Sequence, residues 1–116
     1  MLLINQPYQL ISDEFNKGIQ SGTPWQKGPV PLEFGITGLG PLFIRIANFE
    51  YFKEMLEKVL LFNETGQEGS FHLFEVGEGG NGASVIVEEN KTLPAGRQGF
   101  GTVHHAAFRV EDRKVL

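Results

Sequence analysis

The chain has 116 residues, enough for one small domain with a single core. A net charge of −4 with scattered Lys and Arg excludes a basic nucleic-acid surface, and the absence of cysteine excludes disulfides and thiolate metal sites. No apolar run approaches the ~20 residues a membrane-spanning helix needs, and Met1-Leu2-Leu3-Ile4 is too short, with no basic flank, to be a signal-peptide core. The expectation is a soluble cytoplasmic protein with neither a nucleic-acid nor a membrane partner.

Fifteen glycines and ten phenylalanines point to an α+β or barrel-like sheet protein rather than a helical bundle. Tyr8-Gln9-Leu10-Ile11, behind Asn5-Gln6-Pro7, reads as a short strand. Ser12 to Gly35 has no sustained period and holds Gly18, Gly22, Pro24, Gly28, Pro29 and Pro31. It reads as an extended connector, with Trp25 expected to anchor it against a surface. A connector of that length is unusual inside one compact domain and more often joins two structural units.

Leu39 to Ala47 is the next expected strand, because Leu42, Ile44 and Ile46 alternate with Phe43 and Arg45. Asn48 is a good helix N-cap, and Glu50 suits the positive end of the helix dipole. Phe49, Phe52, Leu56, Val59 and Leu60 fall at helical spacing, with Glu54 and Lys58 as an i,i+4 pair on the polar side. Asn63 to Gly66 is expected to end the helix, with room for a short strand around Leu61 to Asn63. Ser70 to Val76 and Ala83 to Val87 read as strands, joined by Gly77-Glu78-Gly79-Gly80-Asn81-Gly82. Asn90 to Gly101 is a loop, and Val103 to Val110 reads as a final strand.

The order is that of a βαβββ unit, which cannot bury its own sheet face and needs a second unit beside it. An internal repeat is consistent with that need. Leu39 to Ile46 can be laid on Val103 to Val110 at an offset of 64 residues (position 39 on position 103), with Arg45 on Arg109 and apolar residues on apolar residues. A helix follows the first copy, whereas six residues follow the second. The second unit is therefore expected to begin here without being completed.

Few residues could carry chemistry. His104 and His105 are adjacent on an expected strand, so their side chains point to opposite faces. One could ligate a metal while the other meets solvent or supports it, histidine being the commonest metal ligand. His72 reads as a surface strand residue. Glu75, Glu88 and Glu89 are candidate oxygen ligands, although strand-end carboxylates are usually solvated. Gly77 to Gly82 formally matches GxGxxG, but a strand follows instead of a helix and Glu78 would repel a pyrophosphate, so a hairpin loop is expected. No HExxH and no nucleophile elbow is present.

Gly101-Thr102-Val103-His104-His105-Ala106-Ala107-Phe108-Arg109-Val110 closely resembles the G-T-V-H-H-I-A-F-R-V segment of the ring-cleaving dioxygenase branch of the vicinal oxygen chelate (glyoxalase/bleomycin-resistance) superfamily. Pro24-Trp25-Gln26-Lys27, with Val30-Pro31 and Glu33, resembles the connector between that family's two halves. Gly38-Leu39-Gly40-Pro41 resembles the start of its third module, and Tyr8 to Glu14 the last strand of its second. The resemblance implies the βαβββ module of the glyoxalase/bleomycin-resistance/dioxygenase fold with extra flanking strands. It divides the chain into residues 1–14 (end of a preceding module), 15–37 (connector), 38–90 (the βαβββ module) and 91–116 (loop and first strand of a following module).

The resemblance also implies a divalent metal, Fe(II) in most members, held by two histidines and one glutamate. Such a facial triad leaves positions open for an aromatic substrate and O₂. His105 matches one ligand histidine, with His104 a possible supporting residue. The segments bearing the other two ligands have no counterpart here. Strand positions corresponding to ligand-bearing ones hold Gln9, Pro41 and about Val85. The expected function is thus part of an extradiol-type dioxygenase acting on hydroquinone- or catechol-like rings, inactive alone and holding no tightly bound metal. The alternatives are a dimeric aromatic- or drug-binding module of the bleomycin-resistance type, with Phe43, Phe71, Phe74 and Phe108 lining its pocket, and a glyoxalase or isomerase of the same superfamily. Homodimerisation, or exchange of the Val103 to Val110 strand between chains, is expected on either reading.

Overall fold

The computed structural model describes residues 9–92, 94, 96, 97, 99, 100, 103 and 105–109. The chain divides into two units, one of Ile11–Leu93 and one of Met1–Leu10 with Pro94–Leu116. The first holds all the regular structure of the described residues: β1 (Leu42–Ile46), α1 (Phe49–Lys58), β2 (Asn63–Glu68), β3 (Phe71–Glu75) and β4 (Ser84–Glu89), with short 3₁₀ turns at Asp13–Phe15, Leu32–Phe34 and Asn81–Ala83. The four strands form one mixed sheet in the order β1-β4-β3-β2. β1 runs parallel to β4, and the other two pairings are antiparallel. This is a βαβββ arrangement of the α+β class, compatible with a glyoxalase/bleomycin-resistance type module.

The core lies between α1 and one sheet face. Period-2 alternation sends Leu42, Ile44 and Ile46 of β1, Phe74 of β3, and Val85 and Val87 of β4 toward the helix. Phe49 and Leu56 of α1 pack onto them, and Phe62 closes one end. Fully burying each Val, Leu or Phe side chain stabilises the fold by roughly 1.5–3 kcal/mol. Phe74 is 0% exposed at the centre of this seam. It is therefore a core residue and cannot line a ligand pocket, because β3 turns positions 72 and 74 to the helix and positions 71 and 73 away from it.

Asn48 caps α1 as expected, its Oδ1 accepting from the Tyr51 N–H at 3.3 Å. Glu54 and Lys58 form the anticipated ion pair. The helix ends at Lys58, earlier than the apolar spacing through Val59 and Leu60 suggests. Leu61 adopts a left-handed conformation at φ 59° and turns the chain, so that the Phe62 N–H reaches the Leu56 carbonyl at 2.9 Å and the Phe62 ring enters the core. Val59 lies beyond the last helical turn and is exposed, not buried with Leu56. Asn63 to Gly66, expected to terminate the helix, instead begins β2, extending the strand expected around Leu61 to Asn63 through Glu68. As the sheet's edge, β2 pairs only with β3, and a register shift between Glu64 and Gly66 interrupts its alternation. Its NETGQE sequence lacks the apolar alternation that marks a half-buried strand.

The two expected flanking strands are not present among the described residues. Residues 9–11 are not in a strand (Tyr8 lies outside the described residues), and neither are residue 103 and residues 105–109 (His104 and Val110 lie outside). Apolar alternation alone cannot make a strand; it needs a ladder partner for its N–H and C=O groups. The connector is largely irregular, as anticipated. Trp25, however, is 72% exposed and does not anchor it.

Two measurements check this account. Leu61→Gly removes the side-chain cost of a left-handed residue, about 1–2 kcal/mol, offset in part by glycine's greater chain entropy. A net gain of up to about 1 kcal/mol in the unfolding free energy measured by urea titration is expected, and a loss would show that the Leu61 side chain holds the turn. Phe74→Ala should cost about 3–5 kcal/mol, whereas Phe43→Ala should cost under about 1 kcal/mol; equal losses would contradict the one-sided core.

Candidate functional site

The sheet face opposite α1 is open in the Ile11–Leu93 unit. Strand register sets two rows across it. Phe43, Ile86 and Leu73 stand side by side, with Gly66 at the β2 end. Arg45, Glu88, Phe71 and Glu68 form the second row. Phe43 is 51% and Phe71 44% exposed, so the face offers aromatic and aliphatic surface to a partner or ligand. Arg45 and Glu88 pair with each other through Nε and Oε2, which leaves Glu68 as the other charged group of that row.

One end of the face is closed by a polar clasp. Glu75 was expected to be solvated like most strand-end carboxylates, yet it is buried. Its carboxylate accepts from Lys17 Nζ at 2.8 and 2.7 Å, from the Thr65 hydroxyl at 2.8 Å and from the Gly80 N–H at 3.1 Å. Lys17, then Thr65 and the Gly80 N–H, hold its pKa below the ordinary carboxylate value against the opposing effect of burial. Asn16 completes the clasp: its Oδ1 accepts from the Asn81 N–H at 2.7 Å and its Nδ2 donates to the Ile19 carbonyl at 3.0 Å. The segment around Asn16–Ile19 is thereby seated on the β3–β4 loop. A Cβ at Gly79 would strike the Glu75 carboxylate, and one at Gly80 would stand 2.7 Å from Asn16 Oδ1. Both glycines also have positive φ, so the GxGxxG-like segment is a hairpin connection shaped around a carboxylate and not a phosphate cradle.

His72 is on the other face. It is buried, not at the surface, because an even position on β3 points to the helix. Its ring stacks on Phe49 with centroids 3.9 Å apart and 28° between planes. Its Nδ1–H donates to Glu64 Oε1 at 2.8 Å, and Glu64 Oε2 pairs with Lys53 Nζ at 2.9 Å. The His72 hydrogen bond, followed by that of Lys53, holds the Glu64 pKa below the ordinary value. This chain ties α1 to the edge strand, and the pattern of polar residues in β2 gave no sign of it.

The remaining sequence candidates are dispersed. His105 and Phe108 lie in the other unit, outside any described strand, with His105 exposed and Phe108 44% exposed. His104 lies outside the described residues. Val85 is core, Gln9 is exposed, and Glu88 and Glu89 end β4. Among the described residues no group of three or more His, Asp or Glu side chains could hold a metal ion. No described helix is long and apolar enough to cross a membrane.

Acid should weaken the two polar ties together. Because Glu64 and Glu75 have folded pKa values below the ordinary value of 4.5, their contribution is present above that pH and lost as pH falls through the depressed values. The thermal midpoint of the wild-type chain is expected to drop on acidification below about pH 4.5, and Glu75→Gln, less stable at neutral pH, should drop less steeply. Parallel curves would show that Glu75 does not carry the acid sensitivity.

Comparison with known proteins gives the family context. No protein-family model matches the chain. Two curated proteins of Bacillus subtilis (strain 168) are similar to it. One, named "Putative ring-cleaving dioxygenase MhqA", is 38% identical across 92% of this chain and 35% of its own length. The other, "Putative ring-cleaving dioxygenase MhqO", is 32% identical across 76% of this chain and 28% of its own length. The chain spans about a third of the length of these relatives. Over most of its residues, therefore, it is the counterpart of one stretch of proteins that bear the name ring-cleaving dioxygenase.

Proposed function

We propose that the chain is one part of a ring-cleaving dioxygenase of the vicinal oxygen chelate type, its βαβββ module supplying one wall of an aromatic-binding concavity. The observation that carries this is the 38% identity across 92% of the chain to a relative so named. The open sheet face supports it, since Phe43, Leu73, Ile86 and Phe71 form the kind of apolar surface that receives a ring. On this reading residues 38–90 are the module, 15–37 the connector, and 1–14 and 91–116 belong to neighbouring modules. The substrate class is hydroquinone- or catechol-like, and cleavage is of the extradiol type.

The Fe(II) that the resemblance implies does not fit the described residues as a complete site, because they bring no third donor together with any pair. No reaction step is assigned to this chain alone. His105 is proposed as one ligand in the longer protein, with His104 beside it. A second reading keeps the same face but not the chemistry: two copies pair across it to make a drug- or aromatic-binding module. The exposed Phe43 and Phe71 favour pairing of some kind, since apolar sheet surface left in water favours association.

Anaerobic loading with Fe(II), followed by metal analysis, oxygen uptake with hydroquinone and catechol, and sedimentation, tests these readings together. The expected result is substoichiometric iron, no uptake above buffer, and a dimer. One iron per chain with turnover would overturn the incomplete-site reading. Saturable binding of rings by a dimer, without turnover even when the missing segments are supplied, would select the binding module. A monodisperse monomer would remove the dimer from both.

A further inference from the structure

Residues 22–37 form an Ω-shaped loop whose two ends meet. A Cβ at Gly22 would collide with the Thr37 carbonyl, and one at Gly35 would stand 2.5 Å from Pro24 Cβ. Within the loop, a Cβ at Gly28 would stand 2.6 Å from Trp25 Cε3. Three glycines are thus needed to close the neck and to brace the indole. The result is a shallow depression, open to solvent, between Thr23–Lys27 and Ile36–Leu39.

The lining of the depression is chemically one-sided. Trp25 and Ile36, each 72% exposed, and Leu39 give it apolar walls. Lys27 is its one charged residue and has no ion-pair partner among the described residues. The Trp25 indole N–H likewise has no acceptor among them. A large aromatic ring held in water beside an unpaired ammonium and a free N–H donor matches a ligand with a flat apolar body and a negative group. A second copy of the chain is a poorer match, because the depression contains a cation and no carboxylate to complement it in a two-fold pairing.

We propose that this depression binds a small aromatic anion, such as a ring-bearing carboxylate or phenolate. The ring lies against Trp25 and Ile36, and the anionic oxygen meets Lys27 Nζ and the indole N–H. The site is on the connector, apart from the open sheet face, and does not depend on the function proposed above.

Trp25 is the sole tryptophan, so its indole N–H gives a single side-chain resonance in a ¹H–¹⁵N spectrum of the whole chain. The probes are 4-fluorobenzoate and its neutral counterpart 4-fluorobenzyl alcohol. The expected outcome is a saturable shift of the indole resonance with the benzoate, at least about fivefold weaker with the alcohol, as loss of a charge-assisted hydrogen bond would give. Lys27→Gln should weaken the benzoate to the level of the alcohol and leave the alcohol unchanged, while Ile36→Ser weakens both. Lys27 and Ile36 are outside the core, and unchanged resonances of Phe74 and Val85 in the variants would confirm that the fold is intact. A non-saturable shift, or an equal response in wild type and Lys27→Gln, would overturn the proposal. So would an indole shift that follows protein concentration without ligand, which would assign the depression to a second copy.

Discussion

A single apolar seam, between α1 and one face of the sheet, is the constraint on which the rest of the molecule depends. Leu56, Phe74, Val85 and Val87 are its centre. Among the described residues one α-helix is available, and it covers one sheet face. Everything functional that the module could offer is a consequence: the opposite face, with Phe43, Leu73, Ile86 and Phe71, is left for something other than α1. A one-sided sheet is a stable fold because alternation separates the two jobs residue by residue.

The two polar ties serve that seam from its margins. Lys53–Glu64–His72 fastens α1 to the edge strand, where apolar packing is thinnest. Lys17–Glu75–Thr65 with the Gly80 N–H seats the preceding segment on the β3–β4 loop. In both, a carboxylate is surrounded by donors, which is what makes partial burial of its charge tolerable. Glu75 is consequently committed to structure and is a poor candidate for metal or substrate, despite its place at the end of the open face.

The relatives give this geometry its context. They share most of this chain and are about three times its length, and they carry the name ring-cleaving dioxygenase. A module that exposes an aromatic sheet face, and whose described residues gather no metal site, is well suited to act as one wall among several. On the proposed reading the catalytic centre would be a property of assembled modules, with the histidine pair as one part of it.

The sequence by itself determined the β1–α1 pair, the Asn48 cap, the Glu54–Lys58 pair, the hairpin character of Gly77 to Gly82 and the apolar strands β3 and β4. These depend on period and on local turn chemistry, both of which are written in consecutive residues. Tertiary structure alone decided the edge strand β2, because a strand paired on one side can be polar throughout. It also decided that Phe74 and His72 face the core while Phe71 faces out, since strand phase is fixed by what packs above it and not by residue type. The burial of Glu75 came from Lys17, 58 residues away in sequence, and the left-handed Leu61 from the need to return Phe62 to the core. Strands were also expected at Tyr8 to Ile11 and Val103 to Val110, but the described residues of these segments have no ladder neighbour with which a strand must share its hydrogen bonds.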